Sequence, residues 1–272
     1  MSEVRIVRVR NGSRTEAFDE VATEEPLEIR LLQAGEAHHS LAVTMRTPGN
    51  DFELAAGFLF SEGLVGGRDD IAGLTYCVDK NIDEEQRFNI VNAALPRFKG
   101  SLEHLERHFT ISSSCGVCGK AHLDALEARG IAPLSNAMSI ASEIVLQLPQ
   151  RLLDAQRVFA KTGGLHGTAL FSPNGTLRAV REDVGRHNAM DKLVGWALLE
   201  HQMPLSDCIA LVSGRTSFEI VQKAAVGRIP ILCGVSAPSS LAVEMAQRFN
   251  ITLVGFLRDG RYNIYSAPQR IS

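Results

Sequence analysis

The chain has few cysteines, five in 272 residues, and Cys77, Cys208 and Cys233 each sit in apolar surroundings. An odd, sparse count argues against a disulfide-stapled scaffold and for reduced thiols in the cytoplasm. Long apolar runs are missing too, which excludes a helix that crosses a bilayer. The opening MSEVRIVRVR has no apolar leader core and alternates like a strand, so no export signal is expected. No charge of one sign dominates. The formal net charge of −3 gives no global attraction to a nucleic acid polymer, so any anion site must be local. Internal repeats and low-complexity tracts are absent as well. What remains is an ordinary globular composition, 45% hydrophobic and 22% charged, at a length that suits one large or two small domains.

The expected fold class is α/β, with a smaller N-terminal α+β domain over residues 1–110. VRIVRVR, LEIRLL, SLAVTMRTP and RFNIVNAAL read as strands. NDFELAAGFLFSEGL reads as a helix that Asn50 or Asp51 could cap and that ends near Gly63. Residues 111–135 form a loop and linker helix, a Ser/Gly-rich break followed by AHLDALEARG and closed by Gly130. Residues 136–272 form the second domain. A helical pattern over SEIVLQLPQRLLDAQRVFAKTGG, broken or restarted at Pro149, leads to a hairpin around SPNG. Apolar strands then alternate with helices, and the chain ends in an antiparallel hairpin turning on Asp259-Gly260. That grammar implies parallel βαβ units with helices on both faces, a three-layer α/β/α domain.

In such sheets ligands lie beyond the carboxyl ends of the strands, where helix N-termini present free N–H groups. VSGRTS (212–217) offers Ser213, Gly214 and Arg215, and VSAPSS (235–240) offers Ser236 and Ser239. Either alone reads as simple helix capping, but two on successive strands point to an anion or nucleotide. FLRDGR (256–261) adds Arg258 and Arg261. REDVGRHNAMDK (181–192) is more polar than a cap requires. Its plain reading is Asp183 as N-cap with His187 and Asp191 paired one turn apart; His187 and His166 remain functional candidates.

The most unusual stretch is SSSCGVCGK, residues 112–120, with Cys115 and Cys118 spaced as C-x-x-C. A zinc knuckle needs four ligands, and His104 and His108 just upstream could complete one, although they precede the thiols at an unusual spacing. A zinc deaminase needs H-x-E before P-C-x-x-C; here the thiols come first and Ala189 stands where the proton-shuttling glutamate belongs. A helix start and Lys120 next to the pair favour thiolate. Dithiol redox chemistry and sulfur carrying as a persulfide both stay open on the residues alone.

The motifs PGNDFELAAGFLFSEGL, SSSCGVCG, TGGLHGTAL, EDVGRHNAMDK, SGRTSFEIVQKAA, APSSLA and FLRDGRYNIYS resemble, in that order, the formate dehydrogenase accessory sulfurtransferase (FdhD) family. The resemblance runs from about residue 24 to the C-terminus. It implies a cytoplasmic, homodimeric sulfurtransferase whose second domain has a cytidine deaminase-like fold without that activity. The implied partners are a cysteine desulfurase and a formate dehydrogenase. The implied substrate is the molybdenum (or tungsten) bis(molybdopterin guanine dinucleotide) cofactor, with no resident metal. By position, Cys115 would carry the persulfide, Cys118 would be its partner, and Phe256, Leu257, Arg258, Asp259, Gly260 and Arg261 would bind the cofactor. The rival reading is a non-catalytic chaperone that binds the cofactor and uses the thiol pair for metal or redox.

Overall fold

The computed structural model describes residues 1–32, 38–98 and 126–272. The chain opens with an antiparallel ribbon, β1 (Ser2–Arg10) and β2 (Ser13–Val21), in which Arg10 faces Ser13. Asn11 and Gly12, at φ 49° and 82°, form the two-residue turn between them. The sequence reading finds β1 and misses β2. Eight of the nine β2 residues are exposed, so no buried face imposes an alternation to read.

A four-stranded sheet follows, in the order β4-β3-β6-β5. It comprises β3 (Glu25–Leu32), β4 (His39–Arg46), β5 (Gly73–Tyr76) and β6 (Ile90–Ala94). Leu27, Ile29, Leu31, Val91 and Ala93 on one face bury against Leu54, Ala55 and Leu59 of α1 (Asp51–Glu62). Gly63 ends that helix at φ 81°, as expected. Asn50 precedes it in the left-handed region without a side-chain cap; its carbonyl accepts from the Leu54 amide at 2.9 Å. A short helix, α2 (Glu84–Arg87), precedes β6.

The C-terminal half begins with α3 (Ser142–Ala155) and α4 (Phe159–Thr162). A six-stranded sheet follows, in the order β12-β11-β10-β9-β7-β8. Its strands are β7 (His166–Phe171), β8 (Leu177–Asp183), β9 (Ile209–Val212), β10 (Ile231–Gly234), β11 (Thr252–Arg258) and β12 (Arg261–Ser266). Between them lie α5 (Arg186–Leu199), α6 (Phe218–Val226) and α7 (Ser240–Arg248). β9, β10 and β11 are parallel, while β7 runs antiparallel to both of its neighbours and β12 returns antiparallel to β11. Helix α3 covers one face through Val145, Leu148 and Leu152 on Phe171, Ile209 and Ile231. The other face carries α5, α6 and α7, with Met190, Val194, Ile220, Ala224 and Met245 packed on Leu170, Ala210, Leu232 and Leu253. This is the expected three-layer arrangement.

One expectation fails. Helix α3 runs unbroken through Pro149. A mid-helix proline costs about 3 kcal/mol. Burial of Val145, Leu148 and Leu152 at ~1.5–3 kcal/mol each outweighs that cost.

The two sheets are joined through helices. α1 lies against α5 so closely that a Cβ on Gly57 would overlap the Asp191 carbonyl, and one on Gly195 would overlap that of Glu53. The layers therefore run from the four-stranded sheet through α1 and α5 to the six-stranded sheet.

Candidate functional site

Strand register sets Ile209, Ile231 and Thr252 level, so β9 and β10 end at one edge and β11 continues past it to Arg258. At that edge β8 ends and β7 begins, with His166 opposite Asp183. α5, α6 and α7 all start there. The loops are sewn together by backbone bonds. The Ser213 amide donates to the Gly167 carbonyl, and the Gly167 amide to Ser213 Oγ, both at 2.9 Å. The Ser239 amide donates to the Thr216 carbonyl at 3.0 Å, and that of Phe256 to the Ser236 carbonyl at 3.1 Å. Close approach needs small residues: a Cβ on Gly234 would meet Thr216 Cγ2 at 2.9 Å, and one on Gly255 would meet Pro238 Cδ at 2.9 Å. The three segments singled out in the sequence, remote along the chain, are therefore neighbours.

Within this edge the candidate residues occupy different positions. Gly214 lies against His166, whose Nδ1 would be 3.3 Å from a Cβ there. Arg215 is exposed and Ser236 half-buried. Ser239 is spent on capping α7, its Oγ accepting from the Ala242 amide at 3.3 Å. Phe256 takes a positive φ of 54°, and Leu257 is buried in the core with α3. Asp259 and Gly260, at φ 54° and 69°, form the turn between β11 and β12, which sets Arg258 opposite Arg261. Both arginines are exposed, with the Arg258 guanidinium 6.0 Å from the centre of the Phe256 ring.

The polar junction between β8 and α5 splits into two roles. Asp183 is not the N-cap; it ends β8, and Gly185 precedes the helix. The Asp183 carboxylate accepts from the amides of Gly185 (2.8 Å) and Thr47 (3.1 Å), and pairs with Lys192 at 2.6 Å. Nor does Asp191 pair directly with His187: it pairs with Lys223 at 2.8 Å and accepts from Ser61 Oγ at 3.1 Å. Lys192 also donates to the Thr47 carbonyl, and Asn188 Nδ2 to that of Met45. These four residues clamp the β4–α1 segment to the large sheet. The helix cap was the wrong expectation because the two carboxylates engage Lys192 and Lys223 and, from residues 45–61, the Thr47 amide and the Ser61 hydroxyl.

Arg186 and His187 stay outside this clamp. His187 Nε2 lies 3.0 Å from both Ser217 Oγ and Glu219 Oε2, and its hydrogen bond holds the Glu219 carboxyl below the usual range. Burial, then the Arg186 and His187 charges, push His166 below the usual imidazole value, while Asp183 opposes them. Arg186 Nε and Thr216 Oγ1 are buried with no hydrogen-bond partner among the described residues. Such orphaned groups cost free energy unless a ligand or water satisfies them. Arg186 is the residue sequence reasoning missed; it lies within the quoted motif, but nothing in the pattern separates it from its neighbours. Cys115, Cys118, His104 and His108 lie outside the described residues. Among the described residues no group of three His, Cys, Asp or Glu side chains could hold a metal, and no helix is long and apolar enough to cross a membrane.

The edge can therefore supply N–H donors, hydroxyls and guanidinium groups to an extended anion. Comparison with known proteins bears on which one. A protein from Streptomyces coelicolor named sulfur carrier protein FdhD is 46% identical, covering 98% of this chain and 94% of its own. A namesake from Sulfurisphaera tokodaii is 41% identical, covering 100% and 99%. A crystal structure from Desulfotalea psychrophila, provisionally assigned as a formate dehydrogenase accessory protein, superposes with a TM-score of 0.76 at 26% identity, covering 100% of this chain and 99% of that one. The sequence model of the FdhD/NarQ family matches residues 22–272. On that match and those identities, the chain belongs to the FdhD/NarQ family.

Proposed function

We propose that the protein is a sulfur carrier and sulfurtransferase in formate dehydrogenase maturation, acting as a homodimer in the cytoplasm. It takes sulfane sulfur from a cysteine desulfurase and delivers it to a bis(molybdopterin guanine dinucleotide) cofactor, its substrate, before that cofactor enters formate dehydrogenase. The thiolate of Cys115 attacks the outer sulfur of the donor's persulfide, the donor thiol leaves, and Cys115 holds the new persulfide. Cys118 is its resolving or protecting partner. The relatives named as sulfur carriers support the chemistry. One structural observation carries the cargo assignment: 212–217, 235–240 and 256–261 meet where three helices begin, beside the orphaned Arg186 Nε and Thr216 Oγ1. A guanine dinucleotide brings pyrophosphates, and pyrophosphate suits such an edge.

The test is intact mass after incubation with a desulfurase and cysteine. A gain of about 32 Da, one sulfur atom, on Cys115 is expected. Cys115→Ala should abolish both the gain and formate dehydrogenase maturation, and Cys118→Ala should impair maturation less. A chain that never gains sulfur, yet still supports maturation, would be a chaperone and not a carrier.

A further inference from the structure

The β1–β2 ribbon is a two-stranded sheet on its own, and such ribbons are marginal in water without a neighbour. Its two faces differ. Val4, Ile6 and Arg8 of β1 and Ala17 of β2 are half-buried and share the face turned to the body of the protein. The opposite face leaves Val7, Val9 and Phe18 at 61, 59 and 64% exposure. At the end of β4, another edge strand, the Met45 carbonyl is taken by Asn188 and the Thr47 amide by Asp183. β2 packs against α4, but no hydrogen bond from elsewhere in the described protein reaches the outward backbone of Arg14, Glu16 or Phe18, and the strand carries no proline.

We propose that the outer edge of β2 is the docking edge for a second copy of this chain, pairing antiparallel about a two-fold axis at Ala17 to make a four-stranded sheet. This deepens the homodimer reading above by naming the surface. The register follows from the turn. Because the ladder closes on Arg10 and Ser13, the odd-numbered residues of β2 bond to β1, and Arg14, Glu16, Phe18 and Glu20 aim their N–H and C=O outward. Only the Glu20 amide has a side-chain partner, Asp19 Oδ1 at 3.2 Å. A two-fold at Ala17 sets these four residues against each other: Arg14 faces Glu20 of the second copy, and Glu16 faces its Phe18. Each outward amide and carbonyl thereby gains a partner, and two Arg–Glu pairs form by symmetry. The Phe18 rings move into the middle of a sheet face, beside Val7 and the aliphatic part of Arg5. The charge pattern selects β2: its one basic residue, Arg14, sits near one end of the strand and Asp19 and Glu20 near the other, so an antiparallel copy sets Arg14 against Glu20 twice. β1 offers Arg5, Arg8 and Arg10 against Glu3 alone.

The test is the dimer dissociation constant of the full chain, by sedimentation, for wild type, Arg14→Glu, Glu20→Arg and the double variant. Each single change puts like charges face to face twice, and each should weaken the dimer by about tenfold or more. The double variant swaps both signs, restores opposition, and should return affinity to within about threefold of wild type. Exposed strand residues such as these leave the fold intact, which circular dichroism checks. A wild-type monomer would overturn both the homodimer reading and this surface. A dimer indifferent to the single changes would keep the homodimer and overturn the β2 edge alone, as would a double variant weaker than either single.

Discussion

Arg186 and Thr216 bury polar atoms that the described protein does not satisfy, whereas the buried Cys208 thiol meets Arg178 and Asp207 and the buried Cys233 thiol lies among core side chains. Burial first, with Asp207 adding, pushes the Cys208 thiol up to about 12, and burial alone takes Cys233 to about 12. At pH 8 the thiolate fraction of either is then on the order of one in ten thousand. Brief treatment of the native protein with iodoacetamide at pH 8 should therefore spare both, and both should label fully in guanidinium. Peptide mass mapping reads the result; native labelling of Cys208 or Cys233 would mean that their strands open readily. The sequence had already placed both among apolar neighbours, because burial of a cysteine is legible from local composition. The long-range partners of Asp183 and Asp191 were not legible: Thr47 and Ser61 each come from more than a hundred positions away.

At the scale of elements, the crossing of α1 and α5 decides how the two sheets sit together. Gly57 and Gly195 each face a backbone carbonyl of the other helix, with no flexible side chain to give way. Elsewhere in a helix, glycine to alanine gains up to about 1 kcal/mol in propensity. Here overpacking should dominate, and Gly57→Ala or Gly195→Ala should lose about 2–4 kcal/mol. Chemical denaturation measures it, and a neutral or stabilising result would mean that the helices separate at little cost. The same contact shows what periodicity can and cannot give. The runs of β9, β10 and β11, and the helices between them, announce themselves because each buries an apolar face in one sheet. β2 and β5 went unseen because one is exposed and the other is only four residues long. The helix–helix contact went unseen because a glycine in a helical pattern reads as a weakness until its neighbour is known.

At the scale of the whole molecule, the site is an edge built from five strand ends, so its function depends on charge gathered from distant segments. Among its cationic groups, Arg186, Arg215, Arg258 and Arg261 surround loops held in place by backbone bonds. The chain is net negative, so anion binding there has to be local, and salt should weaken it. GDP, a fragment of the proposed cargo, should bind more tightly than guanosine by calorimetry. Arg186→Gln or Arg258→Ala should cost about 1.5–3 kcal/mol each, ten- to a hundredfold in affinity, if each makes a charge-assisted bond. The pH dependence has a definite sign. His166 is held below its usual range by burial and by Arg186, so in the free protein it is mostly neutral at pH 7. A bound phosphate offsets the Arg186 charge and raises the His166 pKa. Binding then takes up a proton, and affinity climbs as pH falls through the raised value. GDP carries its own titrating phosphate, so the comparison that matters is between wild type and His166→Asn over the same buffers. Wild type should gain affinity on acidification by more than the variant does. Equal slopes would remove His166 from the site, and GDP that binds no better than guanosine would leave this edge as three well-formed helix starts with the cofactor docked elsewhere.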